Sequence, residues 1–410
     1  MPMALEGIRI LDLTIYQHGP GATTYLADLG AEVIKVEGPN NPDPGRPRSQ
    51  MQAIGASVAD CPETEPNYYF EILNRNKKAI ALDLKPQAGK EVFYRLVERS
   101  DVFVSNYRRA MLAKLGLDYA TLQGYNPRLI YACGHGYGPE GPDRDKPALD
   151  ALAQARGGLM HQITESGQPP TDAGVGASDQ IGALTLALGI LAALMAREQH
   201  GVGQRVDTSL LGSTIYFQGF YLQNYLLSGS SPRKMPRDNR NASPFWRVYR
   251  CGDGRWLHFA ILRTDPVWPG ICRALEITEY EKHPSYASHE LRIQNSASLI
   301  AMFERILATR PAREWVQRLQ AEGAMCDLVQ DYADLASDPQ VLANEYVTEM
   351  ELPDGSRRRV PGLPIKLSAT PGRIRLPAPA LGEHTDEILR EVAGYSQEEI
   401  ARLRNLGIVK

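Results

Sequence analysis

Asp150 and Asp179 are the residues of this 410-residue chain whose type and placement most invite chemistry. Both stand at the predicted start of a helix inside residues 147–203, and Asp179 is followed by the almost wholly apolar segment IGALTLALGILAALMA. A carboxylate at a helix N-terminus satisfies free backbone N–H groups and meets the positive end of the helix dipole, so capping accounts for both. A carboxylate fixed on a rigid buried helix, between Gly- and Pro-rich loops that let a ligand approach, can also act as a nucleophile. Spacing alone leaves both readings open.

Metal chemistry has little to draw on. The eight histidines show no HExxH or similar spacing. Cys61, Cys133, Cys251, Cys272 and Cys326 are scattered, odd in number and without a CxxC pair, which points to reduced thiols rather than a zinc site or a disulfide framework. A net charge of -3, with 23% charged and 43% hydrophobic residues, calls for neither a nucleic-acid nor a membrane partner. The opening MPMALEGIRILDL lacks the basic start and apolar run of a secretory signal. The apolar run 181–196 falls short of the roughly 18 residues of a membrane span, so a helix buried in a cytoplasmic protein is expected.

The elements that must hold the acids follow from the pattern around them. Short apolar strands are predicted at 7–14, 31–37, 78–84, 101–107 and 128–134, with helices between them, notably 86–99 and 111–115. Strands alternating with helices predict an α/β fold with a parallel, doubly wound sheet covered on both faces. Such a sheet binds ligands beyond the carboxyl ends of its strands. Gln17-His18, Asn106-Tyr107-Arg108 and His135-Gly136-Tyr137-Gly138 follow the first, fourth and fifth strands and are candidates for one shared site. Arg75, Lys77 and Lys78 at the mouth of the third strand suit phosphates or a solvated rim. A dinucleotide fingerprint is poorly met, because Thr24 stands where the third glycine belongs and Pro20 interrupts the turn.

At this length two domains are expected. Residues 38–66 form a long Gly/Pro-rich loop, and 203–229 read as a strand and one long helix whose Tyr216, Phe217, Phe220, Tyr221 and Tyr225 suit core or a subunit interface. The polar segment 230–244 is a plausible boundary. A hairpin turned at Asp253-Gly254, then helices over about 265–322, give a smaller α+β domain, with boundaries drawn at 1–224, 225–335 and 336–410. Arg357-Arg358-Arg359 reads as a solvated face, and the tail holds two short helices, capped by Thr385 and by Ser396 with Glu399, and closed by Gly394 and Gly407.

LEGIRILDLT, LADLGAEVIKVE, LNRNKKAIALDLK, the DVFVSNY to LGLDY segment, NPRLIYACGHGYGPEGP, ALDALAQARGGLM, GILAALMARE with GVGQRVDTSLL, and LGEHTDEIL occur in order over nearly the whole chain. Together they resemble the class III CoA-transferases, the CaiB/BaiF family. The resemblance implies a Rossmann-like large domain built from both ends of the chain, a small domain between, and a ring-shaped subunit threaded through its partner in an interlocked homodimer. It implies acyl-CoA and carboxylic acid substrates and coenzyme A contacts at Gln17, His18, Leu73, Asn74, Arg75, Asn76, Asn106, Tyr107, Lys114 and His135. Gly38 departs from an arginine found there in formyl-CoA transferases, with Arg46 or Arg48 as substitutes.

The family nucleophile is an aspartate. Aligning the loop after ALDALAQA puts Gly167 in one family position, with Glu165 the nearest acid, whereas the helix-start position of other members matches Asp179. The order of candidates is Asp179, Glu165, Asp150, acting through an acyl anhydride and an enzyme-CoA thioester. Two alternatives remain. A methylacyl-CoA racemase needs a histidine and a glutamate where this chain has Leu149 and Arg263, and a silent CoA-binding subunit would lack a working nucleophile. Arg237 to Ser243 stands in place of the family's glycine-rich cover loop and offers two arginines to a second carboxylate.

Overall fold

The computed structural model describes residues 1–47, 67–174, 176–231, 242–352 and 354–410. Six strands, β1 Arg9–Leu13, β2 Glu32–Glu37, β3 Lys77–Ala81, β4 Val102–Ser105, β5 Ile130–His135 and β6 Arg205–Ser209, form one sheet in the order β3-β2-β1-β4-β5-β6. Every neighbouring pair is parallel. Strand order reverses between β1 and β4, which puts the ligand crevice of a doubly wound sheet beyond Leu13 and Ser105.

Burial on both faces explains the apolar strands. One face packs Leu11, Ile34, Ile80 and Phe103 against the helix Gln87–Glu98, whose Val92, Phe93, Leu96 and Val97 recur at helical spacing. The other packs Ile10, Val33, Val104 and Ala132 against α1 (His18–Asp28) and the long helix Ala177–His200. Gly21 lets those two helices approach, since a Cβ there would lie 3.1 Å from the Ala183 Cβ. The glycines that hint at a dinucleotide turn therefore serve packing, and Glu37, at the end of β2, is bonded to Arg46 and the Asp43 amide.

The long helix is 24 residues, longer than the apolar run 181–196, because Asp179 and Arg197 to His200 are helical although polar. By length and composition it could cross a bilayer, yet Gly182, Ala183, Leu186, Ile190 and Leu194 line up on a face buried in the core. The expected single helix after β6 is two, Leu210–Phe217 and Gly219–Ser228, broken at Gln218, whose side chain donates to the carbonyls of Gly157 and Thr214. None of the residues of Gly219–Ser228 is buried, so its aromatics are not core.

Contacts divide the chain into two units, one of residues 1–164, 169–232 and 342–410, the other of 165–168 and 233–341. The second unit holds an antiparallel sheet of Trp246–Arg250, Trp256–Ala260 and Cys326–Leu328, packed through Tyr249, Phe259, Phe303 and Trp315 with its helices. In the first unit, residues 376–410 return to the β3 edge: His384 donates its amide to the Ala79 carbonyl at 3.0 Å, and Leu82 bridges to Val409. Ser396 and Glu399 form the expected capping box. Thr385 is not a cap; His384 takes that position, and the Thr385 hydroxyl receives the Ala81 amide instead.

Lys77 and Arg75 differ from the expected rim. Lys77 is fully buried against Asp12 at 2.9 Å, Arg75 is buried against Asp28 at 2.7 Å, and Lys78 is half-buried between Glu32 and Glu387. They precede or open β3 and so lie at its amino end, away from the crevice. The long loop's residues 48–66, including Arg48 and Cys61, and the expected boundary's residues 232–241 lie outside the described residues. Four described cysteines are free and buried, with burial raising every thiol, Cys133 to about 12 and Cys251 to about 11.

Candidate active site

Asp150 and Asp179 meet. Asp150 opens the helix Asp150–Arg156, and Asp179 is the third residue of Ala177–His200. The Asp179 amide donates to Asp150 Oδ1 at 3.0 Å, so Asp150 caps the helix that carries Asp179, and capping explains Asp150. Its other oxygen accepts from Gln154 Nε2 at 2.5 Å, and Gln154 Oε1 accepts from the Ala173 amide at 2.9 Å, which ties down the loop before the long helix.

Capping does not explain the Asp179 carboxyl. Burial, and next the charge of Asp150, push its pKa from 3.8 to about 7. The residue keeps part of its surface open while its carboxyl is crowded by protein, and a crowded, reachable acid of raised pKa is the pattern of a reactive group.

Gln17 approaches from the β1 end. Its Nε2 lies 3.5 Å from the carbonyl of Gly176, the residue just before the helix, and a Cβ on Gly176 would strike that amide at 2.5 Å. Gly176 is left-handed, with φ 62°, so glycine serves both conformation and close approach. Two groups absent from the sequence reading complete the cluster. Tyr69, on the helix Tyr68–Asn74, has its hydroxyl pushed well up in pKa by burial and then by Asp179, Asp43, Tyr16 and Asp150, so it remains a donor. Tyr16 holds φ 61° although it is not glycine. No motif marks either: Tyr69 lies far from Asp179 in sequence, and a left-handed tyrosine has no sequence signature.

The remaining candidates divide. Tyr107, half-buried, and Lys114, exposed, line a cleft of about 550 Å³ with Ile15, Pro42, Pro44 and Arg108, at the carboxyl ends of β1 and β4. A neighbouring cleft of about 330 Å³ carries His135, Arg109, Arg144 and Arg205. His135 Nε2 is 2.7 Å from Asp207, which Arg205 also holds. A third cavity, about 540 Å³ around Thr348, Lys366 and Arg373, contains none of these acids.

His18 is buried between Gly134 and Gly182. Burial drops its pKa to about 4, so the ring is neutral at pH 7, and among the described residues its Nε2 has no partner of good geometry. Asn106 spends its amide on Ile15, accepting the N–H at 2.9 Å and donating to the carbonyl at 2.7 Å. Leu73, Asn74, Arg75 and Asn76 are all buried at the amino end of β3. Arg75 and Asn76 hold Asp28, Asn74 accepts from Lys77, and the Leu73 carbonyl takes Thr24 and Lys77. Their polar groups are thus engaged within the fold. Arg46 is equally engaged, gripping Glu37 at 2.5 Å and stacking on Phe70. Glu165 lies in the turn 165–168, partly exposed, where its carbonyl accepts from Gln168. Among the described residues no cluster of three metal-ligating side chains occurs.

Residues 5–385 match the model of CoA-transferase family III. The chain is 34% identical to formyl-CoA:oxalate CoA-transferase of Rhodopseudomonas palustris (strain BisA53) over 426 residues, covering 99% of this chain and 97% of that one. It is 29% identical to (R)-2-hydroxy-4-methylpentanoate CoA-transferase of Clostridioides difficile over 409 residues, covering 100% of both. A solved CAIB/BAIF family protein from Brucella suis superposes with a TM-score of 0.82 at 29% identity, over 96% of this chain and 100% of that one.

Proposed function

The chain belongs to CoA-transferase family III, a class III CoA-transferase with CoA thioesters as substrates, and from that premise we propose that Asp179 is its nucleophile. The observation that carries this is the Asp179 carboxyl, crowded beside Asp150 at the start of a buried helix and raised to about 7.

In the proposed reaction an Asp179 oxygen attacks the thioester carbon of acyl-CoA. The C–S bond breaks, CoA leaves as thiolate, and an acyl-aspartyl anhydride remains. The thiolate then attacks the aspartyl carbonyl, releasing the donor acid as its carboxylate and leaving an aspartyl-CoA thioester. An acceptor carboxylate attacks that thioester, giving a second anhydride and thiolate, and thiolate attack on its acyl carbon yields the new acyl-CoA and restores Asp179. Atoms and charge balance without water, so each step keeps the thioester's free energy.

Crowding favours this cycle. Ionised Asp179 is disfavoured by burial and by Asp150, and both covalent forms are neutral, so acylation relieves what raises its pKa. A shift of about three units corresponds to about 4 kcal/mol between charged and neutral forms, an upper bound for a partly open group. In this reading Gln17, beside Gly176, and Tyr69, which feels the charge of Asp179, donate to oxygens that gain charge in the tetrahedral steps. Tyr107, Lys114 and Arg108 suit the phosphates and adenine of coenzyme A in the larger cleft.

We read Tyr216, Phe217, Phe220, Leu226 and Leu227, 63–89% exposed, as the face of a homodimer in the cytoplasm. The founding test is mass spectrometry after incubation with acyl-CoAs and hydroxylamine. A CoA adduct or hydroxamate on Asp179, absent in Asp179→Ala, is expected. An adduct that persists in the variant moves the role to another acid and overturns the assignment.

A further inference from the structure

Gln17 follows directly on Tyr16, whose φ of 61° is one that a tyrosine holds only when its surroundings impose it. The surroundings are on both sides of the turn. From the β2 side, Asp43 Oδ1 accepts the Tyr16 amide at 3.1 Å and the Gly45 amide at 2.8 Å. Asp43 Oδ2 is held at 2.9 Å by Lys35 Nζ, which also donates to the Thr14 carbonyl at 3.1 Å. The Asp43 amide is fixed in turn by Glu37 at 3.0 Å. From the β4 side, Asn106 takes both polar groups of the Ile15 peptide. Asp43 and Lys35 are buried, 2% and 0% exposed, so neither is a surface decoration.

We propose that Asp43, anchored by Lys35, is a positioning residue for the transferase reaction: it locks Tyr16 in the left-handed conformation that aims Gln17 at Gly176 and the start of the Asp179 helix. Lose that lock and Tyr16 relaxes toward an ordinary φ, which swings the following residue away from the helix start. A buried ion pair is an expensive way to hold a turn, and its expense is understandable if the turn must be exact to fractions of an ångström for catalysis. The inference rests on the reading of Asp179 as nucleophile with Gln17 beside it.

The test is a double-mutant cycle on single-turnover formation of the CoA adduct, with Gln17→Ala, Asp43→Ala and the pair, well below each variant's melting temperature. Asp43→Ala is expected to slow adduct formation at least 10-fold in the Gln17 background, and less than 2-fold when Gln17 is already alanine. Asp43→Asn keeps the acceptor for Tyr16, with Asp12 and Glu37 still facing Lys35, and is expected to retain the rate within about 3-fold. Equal losses from Asp43→Ala in both backgrounds, or equal losses from Asn and Ala, would overturn the proposal, since a merely structural residue behaves so. If Asp43→Ala does not fold, Lys35→Met, which frees Asp43 and the Thr14 carbonyl, takes its place in the cycle with the same expectation. Gln17→Ala at full rate would instead remove the premise that Gln17 acts beside the nucleophile.

Discussion

Asp150→Asn separates the two causes that raise the Asp179 pKa. The amide keeps an oxygen for the Asp179 N–H and removes the neighbouring charge, while burial of Asp179 is unchanged. Burial is the larger cause and Asp150 the smaller, within a rise from 3.8 to about 7. A repulsion from Asp150 a little over about 1 kcal/mol would move the midpoint by about one pH unit. That lies between the about 1 and about 4 kcal/mol of two charges 4 Å apart in water and at a dielectric of 20. Only ionised Asp179 attacks, so adduct formation should rise with pH through about 7 in the wild type and through about 6 in the variant. At pH 6 the wild type is then about one-tenth ionised and the variant about half, so the variant reaches about five times the wild-type fraction of its own plateau rate. The assay is stopped-flow or quenched formation of the CoA adduct from pH 5 to 9, with thermal melting alongside because the Gln154 bond to Oδ2 is lost. A midpoint that does not move, or moves upward, refutes the assigned repulsion. A wild-type midpoint near 4 refutes the crowding itself.

Asp179→Asn should melt above the wild type, and the gap should depend on pH. The folded pKa lies above the unfolded one, so ionisation costs folded-state stability from about pH 4 upward, and the gap should widen to about pH 7 and stay level beyond; a constant gap counts against the raised pKa. Sedimentation should report twice the 45.4 kDa protomer, and charge introduced at Phe220 or Leu227 should lower that mass; a wild-type monomer would leave the exposed aromatic face without the assigned role.

The α/β sheet was legible because its strands are buried on both faces and so appear as apolar runs between helical spacings, from Ile10 through Ile130. Asp179 was legible as an acid opening an apolar helix, though not its raised pKa, which depends on Asp150 reaching back across 29 residues. The burial of Leu73–Asn76 was not legible: amides and an arginine beside a strand look like a solvated rim, and only the parallel sheet fixes them at its amino end, with Arg75 and Asn76 bonded to Asp28. Asn106 lines the cleft beyond β1 and β4, and only its hold on the Ile15 backbone was not legible. Tyr69 and Asp43 were invisible because their meaning is a meeting of distant segments, and Tyr16 because its conformation is imposed on it rather than encoded in its type. The break at Gln218 belongs to the same class, being made by a side chain that reaches the Gly157 carbonyl.

The return of residues 376–410 to the β3 edge has a consequence for biosynthesis. Ala79, Ala81 and Asp83 find their outer partners in His384, Thr385 and Ile408, which leave the ribosome some three hundred residues later. Until then a nascent chain displays an open strand edge, the kind of surface that recruits other strands. At about 5–20 residues per second that exposure lasts on the order of 15–60 seconds. The parallel sheet is therefore sealed by residues made some three hundred positions after the edge they cover, and deleting residues 405–410 should reveal itself first as aggregation during expression rather than as a defect in chemistry.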